Sequence, residues 1–133
     1  MLGQELINLA KNLNIDIFEN HEVKSFDKAD EIVNKFNNAK IEAVKVGGQR
    51  VVRLHLKPGW KWSTDVKPHI GTESCQANHI GVITKGSVCA KHDDGTEVVY
   101  KAGDSYSVTP GHDAWVVGDV PVEAYEFAGV GGE

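Results

Sequence analysis

The sequence predicts a mainly β domain: a small sandwich or barrel of short strands that follows one or two short N-terminal helices. Three observations predict it. From Ile41 onward Val, Ile and Thr become frequent, the residue types that suit a pleated, half-buried surface. Gly and Pro punctuate this region at short intervals, at Gly47-Gly48, Pro58-Gly59, Gly86, Gly95, Gly103 and Pro110-Gly111. Before Ile41 the apolar residues recur at helical rather than alternating spacing. Many short strands with regular turns bury their apolar faces by packing sheet on sheet or by closing a barrel.

Taken in order, Leu2, Leu6, Leu9 and Leu13 predict an amphipathic helix over 2–13. Asp27 is a candidate N-cap for a second helix over 28–36, with Ala29, Ile32, Val33 and Phe36 on one side and Asn37-Asn38 ending it. Residues 41–46 and 50–57 read as a hairpin around Gly47-Gly48. Trp60 to Val66 reads as a further short strand, and 75–84 as the next, closed by Gly86. Residues 87–92 and 96–101 flank His92-Asp93-Asp94-Gly95, a second hairpin signal. Strands at 105–109, 114–117 and 121–128 complete the set. The domain division expected is an N-terminal segment over 1–40 that packs on the barrel or on a partner, a β-barrel over 41–128, and a tail over 129–133.

Composition narrows the function classes. A chain of 133 residues, 41% hydrophobic and 25% charged, suits one domain with a single core. A net charge of −5 without a basic stripe argues against a nucleic-acid surface. No apolar run is long enough for a membrane span. Gln4, Glu5 and Asp16 interrupt the first twenty residues, which lack the basic start and apolar block of a secretory signal, so cytoplasmic residence is the expectation. Two cysteines, Cys75 and Cys89, do not make a disulfide framework; free thiols or a ligand role fit a reducing compartment better.

The chemistry concentrates in Glu73-x-Cys75-x-x-x-His79, followed by Gly86. On a regular strand, residues an even number apart share a face, so Glu73, Cys75 and His79 are expected to point the same way. All three can bind a metal. Ile80 and Val82 lie opposite them, while Gly81 and Ile83 share the face of His79; a strand apolar on both faces is usually covered on both, by the N-terminal helix or by a second copy, and a homodimer is expected.

Pro58 to Phe127 resembles the cupin superfamily of small jelly-roll barrels. The first cupin motif usually reads His-x-His, then Glu, then Gly; here Glu73, Cys75, His79 and Gly86 occupy that frame. The second usually runs from Gly through Pro-x-Gly to a final His; here Gly103, Thr109, Gly111 and Ala114 occupy it, with Pro110 one place late. The sixteen residues between Gly86 and Gly103 match the short spacing of single-domain cupins. The resemblance implies a cupin-type jelly roll. The family's histidines are replaced in the first motif, and Ala114 stands for the last one, so the usual metal site is altered. A rearranged site is implied instead. His112, two residues before Ala114, is brought to the barrel mouth beside Glu73, Cys75 and His79.

A thiolate and imidazoles suit a divalent transition metal, zinc ahead of iron or nickel because a Cys ligand is easily oxidised. Glu73 is expected as fourth ligand or as a general base acting on bound water. The competing reading makes Cys75 a small buried apolar residue and the two histidines hydrogen-bonded core groups. Three function classes follow: a metal-dependent enzyme of isomerase, lyase or oxygenase type acting on a small polar molecule, a non-catalytic small-molecule-binding or sensor module, and a dimerisation domain with a vestigial pocket. Arg53 and His55 share one face of their strand; inward they would bind a ligand anion, outward they form an ordinary polar face, which the alternation favours. Trp60, Trp62, Trp115 and Tyr106 are candidates for stacking on a flat ligand, with core packing the plainer role.

Overall fold

The structure, a computed structural model, describes residues 21–128. The helix expected over 2–13 and the tail from 129 lie outside the described residues. A 3₁₀ turn (Phe26–Lys28) is followed by β1 (Glu31–Val33), β2 (Ala39–Val46), β3 (Gln49–Leu56), two single-turn helices α1 (Trp62–Asp65) and α2 (Lys67–Ile70), β4 (His79–Lys85), β5 (Ser87–His92), β6 (Glu97–Lys101), β7 (Ser105–Val108), β8 (His112–Val116) and β9 (Val122–Ala128). Six strands form one sheet in the order β1-β2-β3-β9-β4-β7, and three form a second in the order β6-β5-β8. Every pairing is antiparallel. The core lies between the sheets, where Leu56, Ile83 and Val122 of the larger meet Val88, Ala90 and Val116 of the smaller. The mainly β expectation holds, as a two-sheet sandwich.

Local chemistry explains the turns. Gly47 and Gly48 both take positive φ (58° and 75°), the backbone that a two-residue hairpin turn demands, and β2 and β3 pair in register on either side. The hairpin of β5 and β6 turns through residues 93–96, with Asp94 Oδ1 accepting from the Thr96 N–H at 2.9 Å.

Two local expectations are corrected. No helix forms over 28–36. Ser25, not Asp27, supplies the cap, its Oγ accepting from the Asp27 N–H at 3.1 Å, and the helix it caps is the three-residue 3₁₀ turn. The following residues join the edge of β2 as β1, because the exposed edge of a long hairpin offers backbone partners that a short, Asn-ended helix must forgo. Trp60 to Val66 is likewise no strand. Asp65 is buried and accepts from the Lys61 N–H at 3.0 Å, which closes the first helical turn around the buried Trp62.

Arg53 and His55 face away from the core. Both donate to the buried Glu42 of β2, at 2.9 and 2.7 Å. The Arg53 hydrogen bond holds the Glu42 carboxyl below the usual carboxylate range. The Arg53 guanidinium also lies 5.1 Å from the Phe26 ring centre, and Phe26 meets Tyr125 edge-on at 5.5 Å. Arg53 therefore holds the 3₁₀ turn against the outside of the sheet, and both Arg53 and His55 are unavailable to a ligand between the sheets.

Candidate functional site

Three elements bring the site together. Cys75 lies in the irregular segment between α2 and β4. It is pinned to the first residue of β8 by an isolated bridge: the Cys75 N–H donates to the His112 carbonyl at 2.7 Å, and the Gly111 N–H to the Cys75 carbonyl at 2.8 Å. His79 opens β4 and His112 opens β8. One donor atom from each of Cys75, His79 and His112 lies within 4.8 Å of the others.

Second contacts orient the rings. His79 Nδ1 is 2.9 Å from Glu126 Oε1, and His112 Nδ1 is 2.7 Å from the Thr109 carbonyl. A carboxylate and a carbonyl only accept, so both Nδ1 atoms carry the proton. That leaves His79 Nε2 facing Cys75 Sγ at 3.5 Å. The His79 and His112 rings meet edge-on with centres 5.1 Å apart. Glu126 is buried and accepts a second hydrogen bond, from Tyr106 OH at 2.6 Å. Gly81 makes room for this pair: a Cβ there would collide with the Tyr125 carbonyl and come within 3.0 Å of the Tyr106 hydroxyl. Gly81→Ala is expected to cost about 1–3 kcal/mol by overpacking, measured by urea denaturation; unchanged stability would contradict the close approach.

The electrostatics favour an ion pair in the metal-free protein. Burial alone pushes the Cys75 thiol up, but hydrogen bonds from His112 and His79 outweigh it and bring it to about 6. Burial disfavours a charged His79, yet Cys75 and Glu126 raise it to about 10. The signs set a stability profile. The depressed Cys75 value contributes stability that is present above the ordinary 9.0 and lost as pH falls through about 6. The raised His79 value contributes stability present below the ordinary 6.5 and lost as pH rises through about 10. The two slopes oppose one another from about 6.5 to 9, so the metal-free protein should be flat there and weaken above about 9. Iodoacetamide capture of Cys75 should titrate with a midpoint near 6 and move upward in His112→Ala and in His79→Ala; an unmoved midpoint in both contradicts the pairing. Cys89 is a free buried thiol that burial pushes up, so it should lag.

The donor set fits a divalent metal. Tetrahedral zinc with Zn–S near 2.3 Å and Zn–N near 2.0–2.1 Å separates its donors by about 3.3–3.6 Å. Cys75 Sγ and His79 Nε2 already stand 3.5 Å apart. Held Nδ1 protons on both histidines are the outer contacts that fix metal-binding imidazoles.

The Glu73 expectation is corrected in its geometry. Its side chain is 99% exposed and pairs with Lys67 Nζ at 3.3 Å. A shared face for Glu73, Cys75 and His79 requires a regular strand through 73–79, but β4 starts only at His79. The carboxylate at the site is Glu126, which the sequence reading missed. Its signal was available: Glu126 shares a face with the apolar Val122 and Ala124 of the expected 121–128 strand. His69 meets the Phe36 ring edge-on, and His92 meets His112 edge-on at 5.9 Å.

The three residues open onto a cavity of about 440 Å³ between the sheets. Trp60, Trp62, Tyr100 and Tyr106 line it, together with aliphatic side chains. Trp115 does not; Lys61 Nζ lies over its ring at 5.3 Å.

No protein-family model matches the sequence, and no curated protein matches it. Solved structures do share its architecture. The polyketide cyclase RemF from Streptomyces resistomycificus superimposes with a TM-score of 0.57 at 11% identity, over 83% of this chain and 80% of that one. An RmlC-like cupin from Shewanella frigidimarina gives 0.51 at 20% identity, over 80% and 92%. A protein of unknown function from Rhizobium leguminosarum gives 0.53 at 12%, over 79% and 93%. At these identities the likeness is one of fold. The two facing antiparallel sheets, the motif frame closed by Gly86 and Gly103, and these neighbours together give the chain the cupin fold.

Proposed function

We propose that this protein binds one divalent transition metal, zinc ahead of iron or nickel, through Cys75, His79 and His112, and acts as an enzyme on a small molecule held between the sheets. The observation that carries the reading is the orientation of the two imidazoles, each with its Nδ1 proton held by an acceptor in the protein, around a thiol of lowered pKa. A bound metal would supply a Lewis acid for one oxygen of the ligand, in keeping with isomerase or lyase chemistry; the oxygenase alternative would need a redox-active metal such as iron in place of zinc. The protein's own part is positional. Glu126 keeps the Nδ1 proton of His79, Tyr106 keeps Glu126 in place, and the aromatic and aliphatic walls exclude water. Glu73 has no part in this reading, because its carboxylate faces solvent beside Lys67. Zinc titration of metal-free protein tests it, with a single site per chain and release of the His79 proton on binding as the expected results; the absence of any saturable site would sink it.

The breadth of apolar wall favours a second reading, a non-catalytic ligand-binding or sensor module built on the same cavity. Turnover of a bound compound separates the two. A homodimer belongs to either reading. Ile80 and Phe127 stand 44% and 55% exposed on the outer face of adjacent strands β4 and β9. Light scattering should give twice the chain mass; a monomer removes the dimer and leaves the site reading intact. Among the described residues no helix is long and apolar enough to cross a membrane.

A further inference from the structure

We propose that the ligand of this cavity is a flat, largely hydrocarbon molecule with one oxygen-bearing end, not a sugar, a polyol or a polyanion. The proposal rests on the metal reading above only for where the oxygen end sits. It departs from the small polar molecule that the sequence suggested.

The walls argue first. Leu54, Leu56, Val88 and Val122 present hydrocarbon to the cavity. Ala114 of β8 and Ala124 of β9 face it from opposite sheets, and their short side chains leave open the slab of space that larger residues would fill. Space between two packed sheets is wide and thin, which suits a planar body. The stacked Tyr100 and Tyr106 rings, 4.3 Å apart, add an aromatic surface at its edge.

The polar groups argue second, because most are already engaged. Tyr106 OH donates to Glu126 at 2.6 Å. At the rim, Thr72 Oγ1 donates to the Ser74 carbonyl at 2.8 Å, and Gln76 Nε2 donates to Ser74 Oγ at 3.0 Å. A polyol would lose water from each hydroxyl against Leu, Val and Ala, and among the described residues the only buried side-chain donor left without a partner is the Trp60 indole N–H, enough for one oxygen. Lys35, which is exposed, is the only Lys or Arg among the described lining residues, so a phosphate or a tricarboxylate meets a single such side chain and no clamp. The concentrated polar chemistry is at Cys75, His79 and His112, and one oxygen donor at the end of an apolar body satisfies it.

The test uses the full chain, zinc-loaded and chelator-treated, in calorimetric titrations with 2-naphthol, D-xylose and citrate. One 2-naphthol per chain is expected, with xylose and citrate at least about 100-fold weaker. Ile70→Asp places a charge on a residue that is 52% exposed at the rim, so it does not burden folding. Ala39→Leu fills part of the cavity from β2. Each should weaken 2-naphthol roughly tenfold, with circular dichroism confirming the fold. Absence of saturable 2-naphthol binding overturns the proposal, as does xylose or citrate binding equally well, or naphthol affinity unmoved in both variants. Zinc content measured on the same samples separates the two claims. Naphthol bound without any zinc site keeps this ligand class and removes the metal reading. Zinc bound with xylose preferred keeps the metal and removes this one.

Discussion

Cys75→Ser and His79→Ala should each reduce bound metal from near one equivalent per chain to a small fraction of it, with the β-sandwich intact. Removing one of three protein donors leaves two, too few for a stable structural or catalytic zinc site. The fold should survive the cysteine change because the bridge between Cys75 and β8 uses main-chain atoms only. His79→Ala carries an added penalty. It leaves the buried Glu126 with Tyr106 as its remaining donor, a loss of about 1–3 kcal/mol. Elemental mass spectrometry alongside circular dichroism reads both effects. Unchanged metal content in both variants would contradict the donor assignment.

Glu126→Gln should weaken metal binding about 10–100-fold although Glu126 is not itself a donor to the metal. The two carboxylate oxygens accept from two different donors, His79 Nδ1–H and Tyr106 OH. A carboxamide can still accept from His79 Nδ1–H and donate its NH₂ to the Tyr106 oxygen, but it removes the negative charge that makes His79 a more basic ligand. Tyr106→Phe separates positioning from packing. It removes the hydroxyl but leaves the His79–Glu126 contact, so its effect on metal affinity should stay below tenfold. Competition titration against a chromophoric chelator measures the affinities. Wild-type affinity in Glu126→Gln would mean that the charge of this carboxylate does not strengthen His79 as a ligand.

The parts of the fold legible in the sequence were those set by local chemistry. Gly47-Gly48 allows only a tight hairpin turn, and the strands on either side follow from it. The spacing of Cys75 and His79, and the place of His112 two residues before Ala114 in the second motif frame, pointed to the neighbourhood that these three residues share. Errors came where tertiary partners overrode local pattern. Ile32 and Val33 fit a helical face, but β2 offered an open edge and they became β1. Glu73 fitted a strand face, but the chain is irregular there and bends to reach His112. The role of Glu126 was hidden for the opposite reason. Its place on an apolar strand face was visible, but its partners, His79 47 residues away and Tyr106 20 residues away, were not, and they are what give it a role.

The central claim is that Cys75, His79 and His112 form a metal site. Metal content of untagged protein, purified without chelators and read by elemental mass spectrometry, tests it most directly. Near-stoichiometric metal per chain, zinc foremost, is the predicted result. No metal, even after incubation with zinc, iron and nickel ions, would contradict it and leave the three residues as a thiolate–imidazolium pair with a neighbouring histidine in the wall of a ligand-binding cavity.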